Sequence, residues 1–391
     1  MPFSGVESGH FLSRLLAGQR RIRRSAGDRV GPFFPFRISD FGFPSVFGPS
    51  DFGFRHLFLV AAFLLCLLVP GQGAVPAPVV VYAAQDQDYA EPILRQFTQE
   101  TGIRVRTLYD SEAVKTVGMA QRLLAERSHP QCDVFWGNEE LRTRQLAARG
   151  VFRETNGWAA FGFRSRRLVV NTNKLALSAV SGISLFALTN SEWRRKIALA
   201  YPLFGTTCTH FLALRQFWGP DRWTAWCRAL QANEPFLVDG NSVVVKFVGR
   251  GEAVLGLTDS DDILAGQREG LPIAAIPLAP EMLLIPNTVA VTRGAPHPDS
   301  AEQLFQYLQR PAVLTQLVKA GALEGSSGSS PSPHATRGER AGERGGHFSS
   351  SKGESLSGDA LSSESTLHPD WAALLRDLEP ATQRLGEVFL R

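Results

Sequence analysis

Residues 79–109 read VVVYAAQDQDYAEPILRQFTQETGIRVRTLY, and their patterning decides the fold class. Val79-Val80-Val81-Tyr82-Ala83-Ala84 is a β-branched run ending in small residues, which predicts a buried strand. Residues 88–101 then predict an amphipathic helix, with Ile93, Leu94 and Phe97 on one face and Gly102 as its stop. Residues 103–109 alternate as a second strand. The same rhythm continues with a helix at 113–126, a strand at 133–136 and a helix at 139–148. Strands alternating with helices of this length imply a mostly parallel sheet covered by helices, an α/β fold. Farther along, strands are predicted at 168–172, 197–201, 253–258, 273–278 and 283–292. Helices are predicted at 185–196, 207–218, 220–232, 243–250, 299–308, 312–320 and 371–391.

The flanks read differently. Leu57 to Val69 is LFLVAAFLLCLLV, preceded by Arg55 and His56 and followed by Pro70-Gly71-Gln72-Gly73-Ala74. It is shorter than the ~20 residues of a membrane span. A positive flank, a short apolar core and a small-residue exit match a secretory signal peptide. The expected location is therefore periplasmic, and Phe63-Leu64-Leu65 before Cys66 lacks the small residue of a lipid-anchoring motif. Upstream, Ser39-Asp40-Phe41-Gly42-Phe43 recurs as Ser50-Asp51-Phe52-Gly53-Phe54. That prefix suggests a spurious or long extension over residues 1–74. Residues 325–368 are crowded with Ser, Gly, Glu, Arg and Pro, a composition that cannot offset ordering entropy, so a disordered insertion is expected.

The net charge of +4 comes entirely from the prefix, where eight arginines and four acids precede His56. The remainder carries 33 basic and 33 acidic residues, and offers no basic face for nucleic acid. The four cysteines, Cys66, Cys132, Cys208 and Cys227, show no metal-ligand spacing.

Several stretches share an order and spacing. They are Tyr82-Ala83-Ala84-Gln85-Asp86, Tyr109-Asp110-Ser111-Glu112, Thr116-Val117-Gly118 and Asp133-Val134-Phe135-Trp136-Gly137-Asn138-Glu139. Next come Val169-Val170-Asn171-Thr172-Asn173, Tyr201-Pro202-Leu203-Phe204-Gly205-Thr206-Thr207 and Gly256-Leu257-Thr258-Asp259-Ser260-Asp261-Asp262, then Leu378-Glu379-Pro380. In these the chain resembles the extracellular solute-binding proteins of ABC transporters, in the group of the ferric-iron binders. The resemblance implies a two-lobed, periplasmic-binding-protein-like fold of type II, with mostly parallel sheets and a hinge. It implies a small-molecule or metal-ion ligand, a membrane permease as partner, no tightly bound cofactor and no catalysis. One lobe is expected from residues 79–175, 285–324 and 369–391, the other from residues 176–284.

The residues add their own reading. Gly205-Thr206-Thr207 follows a strand and opens a helix, where free N–H groups attract anions; plain N-capping by Thr206 is the alternative. Gln85, Asp86, Trp136 and Asn138 follow strand ends, where ligands lie in open α/β sheets. Asp110 and Glu112 hold a similar position. Glu139, Asp259 and Asp261 are candidate metal ligands, with helix capping as the alternative for each. His210 reads as a packed histidine. Cys208, in the first turn of a helix, is a conceivable nucleophile in a rival enzymatic reading, against the commoner role of a small packed residue. The resemblance also marks a departure. The best-known ferric binders use adjacent tyrosines with a histidine and a glutamate, whereas the five tyrosines here, Tyr82, Tyr89, Tyr109, Tyr201 and Tyr307, are all separate. The expected ligand is ferric iron with a synergistic anion, or else an organic phosphate, a carboxylate or another small solute.

Overall fold

The patterned run at 79–109 folds as β1 (Val79–Ala83), α1 (Gln87–Thr101) and β2 (Val105–Tyr109), with β1 and β2 parallel. The apolar stripe Ala90, Ile93, Leu94 and Phe97 is buried, and Gly102, at φ 74, closes α1 by donating its N–H to the Thr98 carbonyl. The structure, a computed structural model, describes residues 76–109, 115–325 and 366–390. The apolar run 57–69, Asp110, Glu112 and most of the polar insertion lie outside the described residues.

Next come α2 (Lys115–Ala125), β3 (Val134–Gly137), α3 (Glu140–Ala148) and the long β4 (Trp158–Asn171). Then follow β5 (Ile197–Ala200), α4 (Gly205–Trp218), α5 (Pro220–Ala232), β6 (Phe236–Val238), α6 (Asn241–Gly249), β7 (Leu255–Asp259) and α7 (Ser260–Arg268). β8 (Ile273–Ile276), β9 (Met282–Val291), α8 (Pro298–Leu308), α9 (Pro311–Ala320), β10 (Thr366–Leu367) and α10 (Trp371–Phe389) complete the chain.

The strands run in the order β2-β1-β3-β9-β4-β7-β5-β6, with β10 on β9 and β8 on β4. Two parallel sets, β2-β1-β3 and β7-β5-β6, are joined by the antiparallel pair β9 and β4. From Trp158 to Ser165, β4 pairs with β9; from Arg166 onward it pairs with β7, and from Leu168 also with β8. One strand thus passes from the first half of the molecule to the second between Ser165 and Arg166.

Four expectations are corrected. Residues 166–171, expected with the first lobe, pair with β7 and β8 of the second. The terminal helix α10, also expected with the first, buries Leu374, Leu378, Leu385 and Phe389 in the same core as Phe211 of α4 and Trp226 of α5. Residues 185–196 are not one helix but two 3-10 turns, Leu185–Thr189 and Ser191–Trp193, split at Asn190 in extended conformation. Thr189-Asn190-Ser191 is a run of residues that favour caps and turns over helix interiors. The insertion begins and ends later and earlier than expected: Gly325 bridges Phe163 of β4, and Thr366 and Leu367 pair with Met282 and Leu283 of β9.

Candidate ligand-binding site

Side chains two apart on a strand share a face. Arg164 and Arg166 therefore point together from the crossing of β4, and both are buried, at 3% and 0% exposure. Asp259, the last residue of β7, stands opposite Arg166 in the register. Its Oδ1 accepts from Arg166 Nη1 at 2.6 Å. Its Oδ2 accepts from Arg164 Nε at 3.2 Å, Thr206 Oγ1 at 2.8 Å and Asn241 Nδ2 at 3.2 Å. Burial alone would raise the Asp259 carboxyl; Arg166 and Arg164 overcome it and hold it below the usual carboxylate range. Arg164 also donates Nη1 to Asn287 Oδ1 at 2.9 Å, and Asn287 Nδ2 donates to Gln85 Oε1 at 2.6 Å. The chain of contacts runs from the end of β1, through β9 and β4, to the end of β7.

The start of α4 meets the same cluster. Gly205 has φ 53, a left-handed conformation that disfavours other residues, and a side chain there would meet no atom within 4 Å. Thr206 Oγ1 donates to Asp259 and accepts from Asn241 Nδ2 at 2.9 Å, and Thr207 Oγ1 donates to Asn241 Oδ1 at 3.3 Å. Neither hydroxyl caps its own helix, so the capping alternative for Thr206 is not what this helix uses. The first N–H groups of an α-helix have no intrahelical acceptor. Arg166 gives Nη1 to Asp259, to Asn241 Oδ1 at 3.1 Å and to Thr206 at 3.4 Å, while its buried Nε and Nη2 have no partner. His210, one turn on, is fully buried and donates Nε2–H to the Glu281 carbonyl at 2.7 Å. Burial, then the nearby Arg166 charge, pushes its pKa down to about 3, so the ring is neutral.

The other candidates take different places. Gln85 is buried in the network just described. Asp86 precedes α1 and, with Tyr89, Ser242, Lys246, Asp262 and Arg268, lines a cleft of about 470 Å³. Trp136 is wholly buried against Phe161 in the core, with Nε1 unpartnered. Asn138 is half-buried in the turn before α3. Glu139 is the N-cap of α3: it accepts from the N–H of Leu141 at 2.9 Å and of Arg142 at 3.2 Å, and from Thr209 Oγ1 of α4 at 3.0 Å. Those contacts engage both oxygens of its carboxylate.

Asp259, Asp261 and Asp262 do offer oxygens within 4.8 Å of one another. Yet Asp259 already takes four hydrogen bonds, and Arg164 Nε stands 3.4 Å from Asp261 Oδ1. Burial, with Asp259 and Asp86 nearby, raises the Asp261 carboxyl to about 7 against the pull of Arg164. Tyr89, beside Asp261 and Asp262, is pushed up to about 12 by burial and by those acids, which opposes a phenolate. Cys208 is buried, and burial raises its thiol rather than activating it.

Sequence reading overlooked Arg164, Arg166, Asn241 and Asn287. One signal was present for the arginines: Arg164-Ser165-Arg166-Arg167 sets three arginines directly before the strand predicted at 168–172. Nothing local marks Asn241 or Asn287, whose role comes from register across the sheet.

Residues 79–322 match the bacterial extracellular solute-binding protein family, and the chain belongs to it. The major ferric iron-binding protein of Neisseria meningitidis is 25% identical over 195 residues, 45% of this chain and 56% of that protein. The chain thus spans little more than half the length of the curated relatives it matches. Iron-bound HitA from Pseudomonas aeruginosa superposes with a TM-score of 0.64 at 17% identity, over 80% of this chain and 99% of that one. AfuA from Actinobacillus pleuropneumoniae, with fructose-6-phosphate bound, gives 0.56 at 18% identity, over 64% and 84%. These are two-lobed periplasmic binding proteins of type II, and this chain has their fold. Among the described residues no helix is long and apolar enough to cross a membrane.

Proposed function

We propose that this chain is the solute-capturing component of a bacterial ABC importer, exported to the periplasm, which holds a small ligand between its lobes and presents it to a membrane permease. One observation carries this reading. Arg166 is fully buried beside the first turn of α4, yet its Nε and Nη2 lack partners. Buried donors are nearly always paired, and a bound anion would complete this set together with the N–H groups of Gly205, Thr206 and Thr207. Family membership and the signal-like run Leu57–Val69 support export and transport. The raised Cys208 thiol speaks against the enzymatic alternative.

A second reading, ferric iron with a synergistic anion, is favoured by what the Neisseria protein is named for. It would use Asp259 and Asp261 and the anion site of α4. Native mass spectrometry of freshly purified protein tests the receptor reading, with a bound small molecule as the expected result and an empty cleft under cargo-rich growth as the adverse one. Thr206→Pro removes one backbone donor, together with the hydroxyl bonded to Asp259 and Asn241, at a first-turn position that tolerates proline. Loss of the carried ligand in that variant is the expected outcome; full retention would move the binding site elsewhere.

A further inference from the structure

We infer that Arg164 takes the place of a metal ion among the aspartates at the β7–α7 junction, so that the ligand is a phosphate or carboxylate oxyanion bound without any metal. This rests on the reading of the cluster around Asp259 as the ligand site. The three aspartates at the β7–α7 junction are the one group among the described residues whose carboxylates converge closely enough to hold an ion. A cation already stands among them. Arg164 Nε is 3.2 Å from Asp259 Oδ2 and 3.4 Å from Asp261 Oδ1. Its Nη1 is fixed by Asn287, and its side chain is 4% exposed.

Arg166 adds a second positive charge on the other oxygen of Asp259 at 2.6 Å. A hard metal ion prefers carboxylate oxygens with free lone pairs. Here it would have to displace two guanidinium groups, a threonine and an asparagine from Asp259, and then sit beside the charges it displaced. Glu139, which could have supplied a further oxygen, is held by α3 and Thr209.

The donors that remain suit an anion. Asp259 engages only Nη1 of Arg166, leaving Nε and Nη2 as the edge of the guanidinium that can form a bidentate pair with an oxyanion. The same side chain reaches Thr206 through Nη1, which sets the guanidinium beside the first turn of α4, where free N–H groups and the helix dipole favour the same charge. The unpartnered guanidinium edge is independent of the helix terminus, and both call for one kind of ligand group. Asp259 then acts as a scaffold that orients Arg166, and Arg164 offsets part of the negative charge that would otherwise repel the incoming anion.

The test uses the full exported chain, stripped with a chelator and checked for residual metal by elemental analysis. Calorimetric titrations with inorganic phosphate, fructose 6-phosphate, citrate and ferric citrate separate phosphoryl from carboxylate ligands and both from iron. The expected result is binding of a metal-free oxyanion with the same Kd in the presence and absence of chelator. Arg166→Gln alone leaves Asp259 short of a charge partner and could unfold the site. The double variant Arg166→Gln/Asp259→Asn removes both charges together, and its fold is checked by circular dichroism. It should bind the same oxyanion about 100-fold more weakly, as expected for loss of a buried charge-assisted contact. Three results would overturn the inference: oxyanion binding that needs added iron, stoichiometric uptake of iron with no metal-free oxyanion bound, or parental affinity in the folded double variant. Failure of every probe overturns the ligand class too, while the native mass spectrum decides the receptor reading separately.

Discussion

Asp259 and Asp261 lie two residues apart and are driven in opposite directions by the same surroundings. Arg166 and Arg164 lower Asp259, whereas burial and its acidic neighbours raise Asp261 to about 7. An aspartate in the unfolded chain titrates near ~4, so the fold favours the neutral Asp261 carboxyl. The stability this group contributes is full below the unfolded value and is lost as pH rises through about 7. Asp259 acts conversely: its contribution is present at neutral pH and lost as pH falls. Asp261→Asn should therefore flatten the decline of Tm between mildly acidic and mildly alkaline buffer. Parallel Tm profiles for parent and variant would show that Asp261 is not the titrating group. At Glu139, replacement by alanine removes a cap and should cost about 1 kcal/mol in urea unfolding, with glutamine recovering part of it. A loss confined to ligand binding, with no change in stability, would instead return Glu139 to the site.

Elements show how much the sequence disclosed. The 3.6-residue stripe of α1 and the β-branched run of β1 were readable because each is local, and both folded as expected. β4 was read only at residues 168–172. Its first half, Trp158-Ala159-Ala160-Phe161-Gly162-Phe163-Arg164, mixes small, aromatic and charged residues and lacks a clear period of two. Its strand character comes from β9, which pairs along it. The 3-10 turn at Leu185–Thr189 combines a local cap, Ser184 Oγ accepting from the N–H of Phe186, with a distant one, since the carboxylate of Glu281 accepts from the N–H of Leu185 at 2.8 Å. The buried polar cluster followed the same rule: strand-end position singled out Thr206, Thr207 and Asp259, but their partners Arg164 and Arg166 needed the crossing of β4. For α10, Leu385→Ala deletes a fully buried side chain in the core shared with α4 and α5. It should destabilise the protein by about 2–5 kcal/mol, read from the urea midpoint. A shift far below that range would mean α10 is not part of the second core.

At the scale of the whole molecule, the two sets of parallel strands depend on two shared strands. β4 contributes to both, and β9 holds β3 on one side and β4 on the other. Neither half retains a complete sheet if the other unfolds. Urea unfolding followed by tryptophan fluorescence and by far-UV circular dichroism should therefore give coincident transitions. Tryptophans Trp136 and Trp158 report on one half and Trp223 and Trp226 on the other, so two separated transitions would show that the halves unfold independently. The order of strands and helices indicated only a mostly parallel α/β sheet; the bilobal plan was what the family resemblance implied, with the lobe boundary expected after residue 175, beyond β4 rather than within it.

The pairing of Gly325 with Phe163, and of Thr366 with Met282, has a practical consequence. Phe163 stands opposite Pro286 in the β4–β9 register, four residues along β9 from Met282. At about 3.3 Å per strand residue, the two anchoring points are offset by about 13 Å along β9. Gly325 and Thr366 are therefore two fixed attachment points for a graft. A reporter domain exchanged for residues 326–365 would be tethered at β4, the strand common to both halves.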